Sequence, residues 1–306
     1  MVEIVHWNPV RRRVPGWRGL LTRRRPVDNF GDLLGPLITR ELVTRAGGRP
    51  EDGADRRLLT VGSILAMARR GDVVWGTGVN GKNLHHDYDV AGADFRAVRG
   101  PLTRDFATAR GATVPAVYGD PGLLVGQLWT REEVAGDRPR TSHLVVPNFH
   151  DFGRTPVPGP ELWPRSPLHE CLAAIAASDL VVGSSLHGVV VADAFGVPAR
   201  FVRSEVEPDV KYRDYLAGTG RPDVEIADSV EDALRRGPHP PPRWDPVPLL
   251  EAFPAELWGL GSVVAAVAPR DRSTTGETPT QQGAWTWPGT GQAPGVEQGA
   301  ENHGTS

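Results

Sequence analysis

The residues best suited to chemistry lie in Gly183-Ser184-Ser185-Leu186-His187-Gly188, after a strand expected over Asp179–Val182 and before a helix expected over Val189–Phe195. A turn so placed presents its side chains at the carboxyl end of a parallel sheet, where α/β proteins bind ligands. N–H groups at a helix start, with the hydroxyls of Ser184 and Ser185, can receive an anion, and Gly188 lets a ligand approach the backbone. His187 is the group in this turn whose charge changes near neutral pH. A structural histidine and a proton carrier are both open readings at this point. The turn misses the G-x-S-x-G pattern of serine hydrolases because His187 stands where the second glycine would be.

Cations that would complement an anion are Arg99, directly before Gly100-Pro101 at a strand-to-helix junction, and Lys211 and Arg213 in Lys211-Tyr212-Arg213-Asp214-Tyr215. Alone, that last stretch reads as a solvated helix with an aromatic stripe. Asn29, Gly31 and Asp32, in Asp28-Asn29-Phe30-Gly31-Asp32, give either a turn and N-cap before an apolar helix or a glycine loop facing a ligand. Gly76-Thr77-Gly78-Val79-Asn80-Gly81 fits G-x-G-x-x-G after a strand. The next residues, Lys82–Asp89, have no amphipathic pattern, so the helix that should meet a pyrophosphate is missing and a nicotinamide site is not expected. His85, His86 and Asp87 in an extended loop point to opposite sides, and no metal is expected there. The single cysteine, Cys171, excludes a disulfide framework and any Cys-rich metal site.

The elements that position these groups alternate along the chain. Strands are expected at Glu3–His6, Leu58–Val61, Asp72–Trp75, Phe95–Val98, His143–Pro147, Asp179–Val182 and Ala199–Val202. Between them, the stripe Leu33, Leu34, Leu37, Ile38, Leu42, Val43 predicts one helix, Pro101–Arg110 a second, and Leu168, Cys171, Leu172 and Ile175 a third, with Ser166 as N-cap and Pro167 at its first position. The class is α/β with parallel strands. The polar stretch Gln127–Ser142 suggests a boundary near Pro139, giving domains 1–140 and 141–268, with Leu249–Val267 as a terminal helical segment packing back on the first. From Pro269 to Ser306 the chain is mostly Gly, Pro, Thr, Gln and Glu and is expected to be a disordered tail, Trp285 and Trp287 being its large apolar groups.

Of the 306 residues 39% are hydrophobic and 23% charged, with 34 Lys and Arg against 37 Asp and Glu and a net charge of −3. Bulk charge therefore does not recruit nucleic acid, and an anionic ligand must be held by a local cluster. With no long apolar run and no basic-then-apolar leader, a cytoplasmic protein is expected. The runs Arg11–Arg13 and Arg23–Arg25 are either solvated or rest against anionic lipid at the inner face of the cell membrane.

As a set, Trp7-Asn8-Pro9, Asn29-Phe30-Gly31-Asp32, Trp75-Gly76-Thr77-Gly78, Val98-Arg99-Gly100-Pro101, Gly183-Ser184-Ser185-Leu186-His187-Gly188 and Lys211-Tyr212-Arg213-Asp214-Tyr215 resemble the polysaccharide pyruvyltransferase family, in its exopolysaccharide-type branch. The resemblance implies two Rossmann-like domains in a GT-B-like arrangement with the site in the cleft between them. It implies phosphoenolpyruvate as pyruvyl donor, no further cofactor, and a sugar of a cell-surface glycan or lipid-linked precursor as acceptor. The product would be a pyruvate ketal, with phosphate released. On this reading His187, charged beside the bound anion, is the candidate general acid. Arg99, Ser184, Ser185, Leu186 and Gly188 would hold the donor, with Asn29, Gly31, Asp32, Gly76 and Gly78 as further substrate contacts. In some branches an arginine precedes Leu-His; here Ser185 stands there, and Lys211 or Arg213 would supply the missing charge. Two other readings share the residues: a GT-B glycosyltransferase using a nucleotide sugar, and a non-catalytic scaffold of a glycan-assembly complex docking through its tail.

Overall fold

The computed structural model describes residues 1–11, 25–82 and 84–267, all within one unit of the chain, 1–271. The basic stretch 12–24 and the tail from 268 onward lie outside the described residues, and with them the membrane-contact and tail expectations. Among the described residues the strands are β1 (Glu3–Val5), β2 (Val10–Arg11), β3 (Arg25–Pro26), β4 (Arg57–Leu59), β5 (Val73–Trp75), β6 (Asp94–Ala97), β7 (Leu144–Val145), β8 (Val181–Gly183) and β9 (Ala199–Phe201). The helices are α1 (Phe30–Arg45), α2 (Pro101–Thr108), α3 (Val125–Leu128), α4 (Arg131–Ala135), α5 (Leu168–Ala176), α6 (Leu186–Ala194), α7 (Val210–Gly218), α8 (Val230–Arg236), α9 (Pro246–Glu251) and α10 (Val264–Val267). None is long and apolar enough to cross a membrane.

Two parallel sheets carry the fold. The first has the order β1-β4-β5-β6, in chain sequence, with Val5 beside Leu59 and Leu59 beside Val74. It is prolonged past β6 by a parallel bridge between Val98 and Tyr118. The second has the order β7-β8-β9, with Val145 beside Val182 and Val182 beside Arg200. Strands buried on both faces read as unbroken apolar runs: Val73, Val74 and Trp75 are at most 1% exposed, as are Val181 and Val182. In the second sheet α5 links β7 to β8 and α6 links β8 to β9, the crossover that parallel neighbours require. β2 and β3 make a separate antiparallel pair.

Helix α1 lies between the first sheet and the helices of the second. Leu34, Ile38 and Leu42, four apart and 0% exposed, form its inner stripe, and it touches β1 as well as α5 and α6. The C-terminal segment returns to the first sheet as expected, but in three pieces: α9, a 3₁₀ turn over Ala255–Trp258 ending at the left-handed Gly259, and α10. Trp75 Nε1 donates to Leu249 O at 2.9 Å, its ring meets Phe253 edge-on at 4.9 Å, and Trp258 Nε1 donates to Pro50 O at 3.1 Å. Local starts also differ from the sequence reading. Pro167, not Ser166, is the cap of α5, and the polar stretch after Gln127 contains α4, held by a capping box between Thr130 and Glu133.

Candidate functional site

The carboxyl ends of both sheets open onto one cavity of about 260 Å³. Asn29 and Asp32 reach it from the start of α1, Asn80 and Lys82 from beyond β5, Asn148 from beyond β7, and Ser185, Leu186 and His187 from beyond β8. Glu207 and Lys211 close it from the segment after β9.

The turn after β8 is built as a helix start. Ser185 has extended backbone and its hydroxyl accepts the Gly188 N–H at 3.1 Å, so α6 begins at Leu186 and His187 sits in its first turn. Ser184 is committed elsewhere: its Oγ donates to Asp151 at 2.6 Å and accepts the Asn148 N–H at 2.9 Å, fixing the loop on the cavity rim. Gly188 makes room for the chain just past β7, since a Cβ there would come within 2.6 Å of the Val146 side chain. Gly31 does the same for the imidazole: a Cβ on it would lie 2.2 Å from His187 Nδ1.

His187 is 8% exposed, and burial, with Arg99 and Lys211 nearby, pushes its pKa down to about 3. The ring is thus neutral in the empty cavity. Asp32 is shifted oppositely, up to about 6, because burial outweighs the amide hydrogen bond from Asn29 at 2.6 Å and the charges of His6 and Lys211. Lys211 is 5% exposed; burial lowers its pKa, countered chiefly by Glu207, whose carboxylate lies 3.3 Å from Nζ and also pairs with Lys82. Two ammonium groups with Glu207 between them, the neutral imidazole of His187, a second imidazole from His150, a carboxyl that titrates near 6 and several amides can bind a small anion and move a proton beside it.

Arg99 occupies a different place. It is 0% exposed and its donors go to Asp214 (3.0 Å), Ser63 Oγ (2.7 Å) and Val79 O (2.7 Å). Asp214 also accepts from Thr103 N–H at 3.0 Å and from the Thr103 hydroxyl at 2.6 Å. Gly100 and Gly218 let the chains meet closely here, a Cβ on either falling within 2.3 Å of backbone oxygen. Arg99-Gly100-Pro101 is therefore the seat on which α7, the carrier of Lys211, docks; through Ser63 the guanidinium stands one side chain behind the cavity wall. Gly78 and Gly76 serve the same packing, leaving space for the Arg99 guanidinium and for Pro121. Arg213 points away, its side chain 56% exposed near Asp209. The helix read as solvated in fact buries Lys211, Tyr212, Asp214 and Tyr215.

A family model for polysaccharide pyruvyl transferase matches residues 46–205, just over half of the chain. The chain belongs to that family. The match contains Arg99 and the Ser185–Gly188 turn, while Asn29, Asp32 and Lys211 complete the cavity from outside it. Among curated proteins it is 29% identical over 174 residues to the uncharacterized protein L143 of Acanthamoeba polyphaga mimivirus, covering 52% of this chain and 59% of that one. It is 29% identical over 187 residues to the succinoglycan biosynthesis protein ExoV of Rhizobium meliloti (strain 1021), covering 56% and 54%. The chain thus spans a little over half the length of these relatives. No solved structure matches it significantly.

The sequence reading brought Asn29, Asp32, Ser185, Leu186, His187 and Lys211 to the cavity. It missed Ser63, Asn80, Lys82, Asn148, His150 and Glu207, of which Lys82 and Asn80 carried a signal: they flank the last glycine of the G-x-G-x-x-G loop. It also missed Asp120, buried behind His187.

Proposed function

We propose that this chain transfers the pyruvyl group of phosphoenolpyruvate to two hydroxyls of a cell-surface glycan sugar or its precursor, forming a ketal and releasing phosphate on the cytoplasmic side. The observation that carries the reading is the meeting of His187 with Lys211 and Lys82 in one small cavity of a family member. At about 260 Å³ the cavity has room for a three-carbon phosphate. Lys211 and Lys82 take the donor's anionic groups, in the place of the arginine that other branches carry before Leu-His. On this reading the two sheets are Rossmann-like halves of a GT-B-like pair, divided near residue 140.

The donor's negative charge offsets Arg99 and Lys211, so His187 takes up a proton when the donor binds. The imidazolium then protonates the methylene carbon; the double-bond pair forms the new C–H bond and C2 becomes cationic. An acceptor hydroxyl adds at C2 and its proton returns to the ring. The C–O bond to phosphorus-bound oxygen breaks with its electron pair going to phosphate, the second hydroxyl adds, and its proton leaves with the phosphate. Asp32, a carboxyl that titrates near 6, is placed to receive the proton of an entering hydroxyl on its way out.

The test is thermal denaturation of the full chain with phosphoenolpyruvate, a panel of nucleotide sugars and NAD. A ligand at about 100 times its Kd adds about 2.7 kcal/mol, several degrees for a protein of this size. A rise with phosphoenolpyruvate, absent in Lys211→Met, is expected. A rise with nucleotide sugars alone would replace this reading with glycosyl transfer.

A further inference from the structure

We propose that Asp120 is a positioning residue for His187, its carboxylate holding the inner ring nitrogen so that the imidazole offers the cavity one fixed nitrogen and tolerates a proton. The proposal rests on the proton-carrying role of His187 in pyruvyl transfer. Asp120 ends the segment that prolongs the first sheet beyond β6: Val98 bridges Tyr118, and the Gly119 N–H donates to Val98 O at 3.1 Å. Its backbone is extended and its Oδ1 caps the 3₁₀ turn Pro121–Leu124, accepting the Gly122 N–H at 2.9 Å. That leaves Oδ2, which is buried and has no hydrogen-bond partner.

The atom opposite is His187 Nε2, 3.8 Å away, also buried and also without a partner. Buried polar atoms of native proteins are nearly always satisfied, and each of these two atoms faces the other as a partner across 3.8 Å, a gap that a small movement of the ring would close. Hydrogen bonds of catalytic groups are often long in the empty enzyme and tighten on the substrate. Because Nε2 is sealed, the 8% exposure of His187 belongs to the rest of the ring, which lines the cavity.

The surrounding charges explain why the contact is open when the cavity is empty. Arg99 and Lys211 both oppose a charge on His187, on top of burial. Burial pushes Asp120 up to about 6, with Asp214 adding to the shift and Gly122 N–H and Arg99 opposing it. An anion between Lys211 and the ring reverses the balance, and the protonated ring then donates Nε2–H to Asp120 while the other nitrogen serves the donor. Asp120 comes from the first sheet and His187 from the second, so the pair aligns the proton carrier against groups from both.

The experiment is ¹⁵N NMR of the imidazole nitrogens in the full chain, with and without phosphoenolpyruvate, the His187 signals being assigned by their loss in His187→Gln. In the wild type the neutral ring is expected as the Nε2–H tautomer. Asp120→Asn, which keeps the Oδ1 cap, should lower the His187 pKa by about one unit or more, a tenfold change in proton affinity. It should cut kcat by about 10- to 100-fold, as losing a carboxylate behind a histidine does at metal centres, with KM within about threefold. Asp120→Ser, which also caps but cannot reach the ring, serves if the Asn variant does not fold. An Nδ1–H tautomer in the wild type, or a His187 that titrates unchanged in the folded variant, overturns the proposal. A chain that ignores phosphoenolpyruvate yet shows the Nε2–H tautomer and the shifted titration keeps the pair and discards the donor.

Discussion

His187 and Arg99 are both buried and both lie near the cavity, yet their surroundings assign them opposite work. The histidine has an unmet nitrogen and a ring face on the cavity; the arginine has spent its donors on Asp214, Ser63 and Val79. His187→Ala should therefore leave affinity for the proposed donor, phosphoenolpyruvate, within about tenfold and lower turnover by roughly 10²–10⁴, measured by titration and by steady-state kinetics. Unchanged turnover would remove it from the chemistry. Arg99→Ala leaves the fully buried Asp214 carboxylate without its cation, a loss of about 3 kcal/mol or more and a fall in Tm of roughly 10 °C. A melting curve like the wild type's would show that the pair does not seat α7, and would return Arg99 to the role of a donor anchor alone.

At the scale of elements, the site depends on α1 and α6 approaching closely at Gly31. Alanine there is favoured by helix propensity and needs no unusual backbone, but its Cβ would sit 2.2 Å from His187 Nδ1. The ring must turn or move, and a shift near 1 Å at a reacting group can cost about 100-fold. Gly31→Ala is expected to keep its circular dichroism, to lose about 1–3 kcal/mol of stability from overpacking, and to drop in kcat by at least about tenfold; equal kcat would mean the ring is free to reorient. The elements themselves were largely legible, because apolar triplets and the Leu34, Ile38, Leu42 stripe report burial directly. The turn after β8 was legible but its end was not: Ser185 caps the helix at once, so Leu186, His187 and Gly188, read as turn before a helix over Val189–Phe195, already belong to α6. Arg99 was not legible, because a strand-to-helix junction looks the same whether its arginine meets a ligand or an aspartate 115 residues later. Asp120 was invisible for the same reason: its local pattern, Asp before Pro, announces a helix cap, and its second oxygen faces a histidine that only the packing of α6 brings near.

For the molecule as a whole, buried groups of both kinds set the response to acid. His187 and His239, both pushed down to about 3, stay neutral in the fold but charge in the unfolded chain below about 6.5, so they subtract stability as pH falls from there toward 3. Asp32 and Asp120, both pushed up to about 6 from the ordinary value of 3.8, take protons first in the fold and add stability as pH falls through that window. The two effects oppose each other between about pH 6 and 4; below that the histidines act together with Asp232, Glu205 and Glu231, whose pKa values their hydrogen bonds hold down and whose protonation then also costs stability. Tm should stay nearly level from pH 6 to 4 and then drop, and His239→Gln should turn the level stretch into a rise toward acid; a steady decline from pH 6.5 in the wild type would contradict this. The C-terminal clasp carries a consequence for synthesis. Trp75 finds its carbonyl at Leu249, 174 residues later, an interval of about 9–35 s at ordinary translation rates of roughly 5–20 residues per second. Through that time the nascent first sheet waits on the ribosome with its indole unlocked, while the second sheet is still being made. The half synthesised first is thus the half completed last, its indole locked only once α9 has emerged.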